Sequence, residues 1–258
     1  MSLYLADSAD LTSVANAIRT KGGTAAPLAF PQGFVSAIDA IPTGGGASVK
    51  EELLGYTPQG DVTYIPDENI PIHGICGKRG MTSLTLDFAA GHGFASSNSS
   101  GYNLNANHIP KITIRGSVWL PAYVFYDNSS AFVVVCRDGV TKYRQNVFRQ
   151  NSGLTTLDFT YTTGDGIGVN DFYGDSAFGT LIIRSSSVMP LSNISAFSNA
   201  TKFRNGGSGG KLYVPQALVS EYTQATNWST ILGYANNQIL PIEGSIYETQ
   251  YADGTPIT

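Results

Sequence analysis

Four phenylalanines constrain this chain more than any other feature. Phe125, Phe148, Phe172 and Phe197 stand 23, 24 and 25 residues apart. Each lies in a similar phrase: Tyr123-Val124-Phe125-Tyr126-Asp127-Asn128-Ser129, Asn146-Val147-Phe148-Arg149-Gln150-Asn151-Ser152, Asn170-Asp171-Phe172-Tyr173-Gly174-Asp175-Ser176 and Ser195-Ala196-Phe197-Ser198-Asn199-Ala200. An Asn or Asp follows every Phe within three residues, and a β-prone run precedes every phrase: Ile112-Thr113-Ile114, Phe132-Val133-Val134-Val135, Leu157-Asp158-Phe159 and Leu181-Ile182-Ile183. Self-similarity at such a period marks a repeat architecture, in which one coil cannot bury its apolar face but stacked coils share a continuous core. The four rings are the expected repeat core, each contributing about 1.5 to 3 kcal/mol by burial. The Asn and Asp side chains are suited to bonding turn backbone.

A period near 23 belongs to solenoids of the leucine-rich type, with one short strand per coil. A looser coil begins at Met81-Thr82-Ser83-Leu84-Thr85-Leu86, followed by a Gly/Ser/Asn-rich insertion from Gly91 to Asn107. Gly-rich punctuation divides the chain into a segment at 1–42, a linker with short strands at 43–74, the solenoid at 75–205 and a cap with tail at 206–258. In the first, Leu11, Val14 and Ile18, then Phe34 and Ile38, recur at helical spacing on either side of Gly22-Gly23. Two helices this short bury too little to stand alone, so the hairpin is expected to dock on something. After Lys211-Leu212-Tyr213-Val214, helical segments carry Leu218 and Tyr222, then Trp228, Ile231 and Leu232. A stacked ladder needs such a cap at its end. The expected fold is mainly β with short helices: a solenoid with an N-terminal helical hairpin and a C-terminal helical cap.

Charged residues make up only 13% of the chain and the net charge is −4, so no basic footprint for nucleic acid exists. No apolar run reaches the roughly 20 residues that cross a bilayer, and Met1-Ser2-Leu3-Tyr4 does not open like a secretion signal. A soluble protein without membrane insertion is expected. Cys76 and Cys136 lie far apart, outside any metal-ligand spacing, and read as buried hydrophobes.

No catalytic constellation emerges. His73, His92 and His108 have no nucleophile or carboxylate in a recognisable relation to them. Asp158, Asp165, Asp171 and Asp175 occupy repeat positions that favour turn bonding over acid–base work. Gly164-Asp165-Gly166-Ile167-Gly168 lacks the helix and Lys-Ser/Thr of a phosphate loop. Neither a metal nor another cofactor is expected. The candidate binding residues are aromatic: Tyr102, Trp119, Tyr123, Tyr126, Tyr143, Tyr161 and Tyr173, lying among Asn, Gln and Ser. Rings give apolar contact at low entropy cost while amides read hydroxyls, a combination suited to glycan or protein recognition.

Across residues 81–205 these phrases resemble the BspA-like leucine-rich-repeat family, whose coils carry an Ala-Phe-x-Asn/Gly-Cys-Ser-like phrase after a short strand; the usual Cys is absent here. The stretch from Tyr213 to Ser229 looks like the terminal cap of such repeats. The first 42 residues are similar to the N-terminal segment of phage minor structural and tail proteins, through Asp10-Leu11 to Lys21-Gly22-Gly23 and Phe30-Pro31-Gln32-Gly33-Phe34 to Ile38. Together the resemblances imply a non-enzymatic phage virion component of tail-fibre or receptor-binding type, made in the host cytoplasm. Its implied partners are other virion proteins, a bacterial surface glycan or protein, and further copies of itself. The rival readings are an architectural baseplate or decoration protein and a bacterial BspA-like surface adhesin.

Overall fold

The computed structural model describes residues 16, 60–66, 69, 81–89, 91–94, 109–127, 129–130, 132–143, 145–162, 164, 166–204, 210–232 and 238–257. The chain divides into two units, Met1–Ser48 and Val49–Thr258. In the first only Asn16 is described, so Leu11, Val14, Ile18, Phe34 and Ile38 lie outside the described residues.

The second unit is a parallel β-solenoid. Among the described residues its strands are β1 (Gly60–Tyr64), β2 (Met81–Asp87), β3 (Lys111–Arg115), β4 (Val118–Leu120), β5 (Phe132–Tyr143), β6 (Leu154–Tyr161), β7 (Thr180–Ile183), β8 (Lys211–Val214) and β9 (Ile239–Pro241). They form one sheet in the order β1-β2-β3-β5-β6-β7-β8-β9, with β4 beside β5, and every pairing is parallel. Parallel neighbours that follow each other in sequence require the chain to return to the same side each time, which makes each crossover a coil.

Register explains the residue pattern. Leu84, Ile112, Val134, Leu157, Leu181, Leu212 and Ile239 are successive partners across the ladder. All but the last are buried, and Ile239 packs against the same inner core. One residue further along each strand, Thr85, Thr113, Val135, Asp158, Ile182, Tyr213 and Leu240 pair with one another and face the opposite side, as the pleat demands. The region at 43–74, where short strands are expected, supplies β1, and Gln238-Ile239-Leu240-Pro241 adds a further rung, β9, beyond the helices.

The four recurrent phenylalanines are fully buried and form one column. Ring centroids of Phe125 and Phe148, Phe148 and Phe172, and Phe172 and Phe197 are 5.1, 5.3 and 4.8 Å apart, with interplanar angles of 1°, 9° and 1°. These separations follow the spacing of neighbouring strands, about 4.8 Å, so the backbone ladder sets the stacking. Phe178 and Phe203 add a second ring to the last two coils, 5.0 Å apart. Short helices α1 (Val219–Gln224) and α2 (Trp228–Leu232) bury Tyr222, Trp228, Ile231 and Leu232. Trp228 stands 6.1 Å from Phe197 and donates its indole N–H to the Met189 carbonyl at 2.8 Å, while the Tyr222 hydroxyl accepts from Met189 N at 2.9 Å. The coils approach so closely that a Cβ on Gly153 would lie 1.8 Å from the Ser130 carbonyl oxygen. Of the Gly91–Asn107 insertion only 91–94 are described, and there Phe94 meets Phe88 edge-on at 5.0 Å.

Candidate functional site

The turns that hold Phe125, Phe148 and Phe172 repeat one backbone conformation, and the Phe197 turn shares its second half, Ile194–Phe197 being a 3-10 turn. Tyr123, Asn146 and Asn170 stand two residues before a column Phe, and Asp127, Gln150 and Asn199 two residues after one; all have φ of 58 to 63°, and Gly174 has φ of 83°. This left-handed region favours Asn and Gly, which accounts for their recurrence in the phrases. Turns on successive coils are tied by backbone bonds: Phe125 N to Val147 O at 3.1 Å, Phe148 N to Asp171 O at 3.1 Å and Phe172 N to Ala196 O at 2.7 Å. Between them the residue after each Phe forms a second column, half-buried at the surface: Tyr126, Arg149, Tyr173 and Ser198.

This outer column is polar and connected. The Tyr126 hydroxyl donates to Gln150 Oε1, and Tyr123 packs edge-on against Tyr126 at 5.5 Å. The Arg149 guanidinium lies 5.4 Å from the Tyr173 ring centroid and donates to Asn146 Oδ1 at 3.5 Å. Among the described residues no carboxylate pairs with Arg149, and its Nε is buried without a hydrogen-bond partner. Because Arg149 already covers one face of Tyr173, the column presents ring edges, hydroxyls, an amide and a guanidinium.

Tyr123, Tyr126 and Tyr173 are thus brought together, and Tyr161 is not. Tyr161 is 6% exposed in the core with its hydroxyl donating to Gly164 O at 2.6 Å, so it is a packing residue rather than a binding one. Trp119 lies on β4, opposite Lys142 in the ladder. Tyr143 ends β5, its side chain outside the described residues, as is all of Tyr102. Arg149, Gln150 and Asn146 were not singled out from the sequence. The repeat held the signal, since they occupy the same phrase positions as Tyr126, Asp127 and Tyr123.

The carboxylates beneath these turns are structural. Asp171 accepts Val147 N at 3.1 Å and Gly168 N at 2.6 Å, and burial pushes its carboxyl up to about 8 against the pull of those N–H groups. Asp175 accepts Asn151 N at 2.7 Å through Oδ1, while Oδ2 is buried with no partner. Burial raises this carboxyl well above its ordinary value, and the Asp171 charge adds to the rise. Asp158 pairs with Arg184 at 2.8 Å on the outer face of the sheet, a role distinct from the turn bonding expected of it. All three are buried. Asp165, His73 and His108 lie outside the described residues, and His92 is half-buried beside Gly91. Cys136 is a buried free thiol whose ionisation burial drives upward; Cys76 is outside the described residues. Among the described residues no group of three or more His, Cys, Asp or Glu could hold a metal ion, and no helix is long and apolar enough to cross a membrane. No family model matches the chain, and neither a curated protein nor a solved structure matches it.

Proposed function

We propose that the chain is a non-enzymatic phage virion component of tail-fibre or receptor-binding type, whose segment 1–42 attaches it to the particle and whose solenoid recognises a bacterial surface. One observation carries the recognition half: the column of Tyr126, Arg149 and Tyr173 with Gln150, held at coil pitch on a backbone ladder. Hydroxyl, amide and guanidinium groups fixed at regular intervals suit a hydroxyl- and carboxylate-rich glycan, because their positions are paid for in the folding of the scaffold rather than on binding. The BspA-like reading of the coils rests on the phrases around the four phenylalanines. Attachment rests on the likeness of residues 1–42 to phage tail proteins and on the small burial available to two short helices. The non-enzymatic reading is supported by the burial of Asp158, Asp171 and Asp175, which are committed to backbone and to Arg184.

The test is adhesion. Full-length protein carrying Tyr126→Ala, Arg149→Ala and Tyr173→Ala together is expected to lose binding to host cells while keeping its circular dichroism spectrum. Undiminished adhesion would remove the recognition role from this face. Failure of the unaltered protein to adhere at all would favour a purely architectural piece. Separately, deletion of residues 1–42 is expected to abolish incorporation into particles.

A further inference from the structure

The chain ends by folding back over the outer face of its own ladder. Thr249 to Ile257 form a small hairpin: Tyr251 N donates to Thr255 O at 2.8 Å, Gly254 N to Tyr251 O at 2.9 Å and Ile257 N to Thr249 O at 3.0 Å. Asp253 is at its tip, receiving Thr255 N at 2.9 Å. This segment lies on the outward positions of five rungs. Tyr247 meets Tyr213 of β8 edge-on at 4.8 Å. Arg184, next to β7, donates to the Tyr247 and Gln250 carbonyls at 2.8 and 3.1 Å. Asp158 of β6 accepts Ala252 N at 2.9 Å. Arg137 of β5 reaches the Asp253 carboxylate at 3.2 Å, and Thr113 and Lys111 of β3 donate to that carboxylate and to the Asp253 carbonyl at 2.7 and 3.1 Å. The Tyr251 ring lies between two guanidiniums, 4.9 Å from Arg137 and 5.0 Å from Arg184. Val135 and Ile182 are fully buried although they belong to the outward row and not to the inner core.

We propose that this outer face is a peptide-recognition groove that reads a Tyr two positions before a turn-tip Asp, and that two copies of this chain can exchange the segment that fills it. Three features carry the proposal. The groove contacts backbone carbonyls, one backbone N–H, the rings of Tyr247 and Tyr251, the Thr255 hydroxyl and one carboxylate, all of which a second copy supplies identically. The groove resists standing empty, since that would uncover Val135 and Ile182 and remove the Asp253 counter-charge from Arg137. The connection to the body is one exposed turn: Glu243 stays with the body by accepting Gln216 N at 2.7 Å, Gly244, with φ of 78°, has nothing within 4 Å of where a Cβ would stand, and among the described residues only Ser245 bonds back across the turn, to the Ile242 carbonyl. An element joined by such a turn can be exchanged between copies at small cost because the same bonds re-form.

The experiment uses the protein with a protease site inserted between Glu243 and Gly244, cut after folding and mixed with a fluorescent synthetic peptide of residues 244–258. The labelled peptide is expected to replace the cut segment, with Tyr251→Ala and Asp253→Asn peptides competing at least about tenfold less well, a difference of about 1.4 kcal/mol. No uptake of label, or equal competition by the altered peptides, would overturn the groove. For the exchange, uncut chains bearing two different tags are refolded together at high concentration. Mixed pairs that vanish when both chains carry Asp253→Asn are expected; monomers alone, or pairs indifferent to that substitution, would overturn it.

Discussion

The phenylalanine column and the C-terminal hairpin both hold coils together, by opposite means. The column repeats one apolar contact at separations of 23 to 25 residues, and within the column each ring meets the ring of the coil above or below. The hairpin, with Tyr247 just before it, makes a set of single contacts across separations from 63 to 142 residues and reaches five rungs at once. Nearest-neighbour stacking alone gives a solenoid whose stability is a sum of local terms and whose coils can unravel from an end. A segment that binds distant rungs adds coupling the stack does not possess. The buried core that includes the column is expected to supply most of the stability, and the hairpin to make unfolding more cooperative.

The largest expected effect tests the column. Phe172→Ala removes a ring with neighbours on both sides, and urea unfolding is expected to show a loss of about 3–5 kcal/mol. Next, Asp253→Asn deprives Arg137 of its counter-charge and leaves one accepting oxygen where two serve Thr113, Arg137 and Thr255, with an expected loss of about 1–3 kcal/mol. The two should differ in kind. The Phe variant lowers the urea midpoint at unchanged slope, whereas the Asp253 variant also lowers the slope, because the end coils then open separately from the rest.

A smaller effect, of opposite sign, is expected inside the turns. Asn151 and Asp175 occupy equivalent positions on successive coils, and the Asn151 side-chain amide donates to the Phe148 carbonyl. Asp175→Asn places the same donor near the Phe172 carbonyl and removes a carboxyl whose Oδ2 has no partner. It is expected to stabilise the protein by about 1 kcal/mol at pH 7, with the gain shrinking towards pH 4, where the native carboxyl is protonated. Thermal melts at the two pH values check this.

The two regions should also respond to pH with opposite signs. Asp171 is raised by burial to about 8, so the unfolded chain releases this proton first and stability falls as pH climbs from about 4 to about 8. At Asp253 burial pushes upward, but bonds from Thr255, Thr113 and Arg137 outweigh it and hold the carboxyl below its ordinary value. Its contribution is present above the unfolded value near 4 and is lost as pH falls through the lower folded one. Acid is therefore expected to release the hairpin while strengthening the turns. Proteolysis between residues 243 and 257 at pH 3 and pH 7, set against hydrogen exchange at the Phe148 and Phe172 amides, separates the two responses.

This contrast explains what the sequence reveals. A contact that recurs every coil writes itself into the chain as a period, so the strands around Ile112, Val134, Leu157 and Leu181 and the inward column were legible, as was the polarity of the turns. The outer column was half legible: Tyr126 and Tyr173 stand out as aromatics, but Arg149 is recognised only once its phrase position is known to face outward. The hairpin was illegible, because Tyr251, Asp253 and Thr255 meet Arg184, Arg137 and Thr113 once each, across most of the domain, and no spacing announces it. β9 escaped notice for a related reason: three residues at 27 or so from their partners in β8 fall outside the period of the Phe phrases.

The account rests on the four rings forming a single stack, and double-mutant cycles on those rings test it most directly. Adjacent pairs, Phe125 with Phe148 and Phe148 with Phe172, are expected to couple by at least about 0.5 kcal/mol, while Phe125 with Phe197 is additive within about that margin. Additivity in the adjacent pairs, or coupling between the distant rings equal to that between neighbours, would contradict the stack and the solenoid built on it.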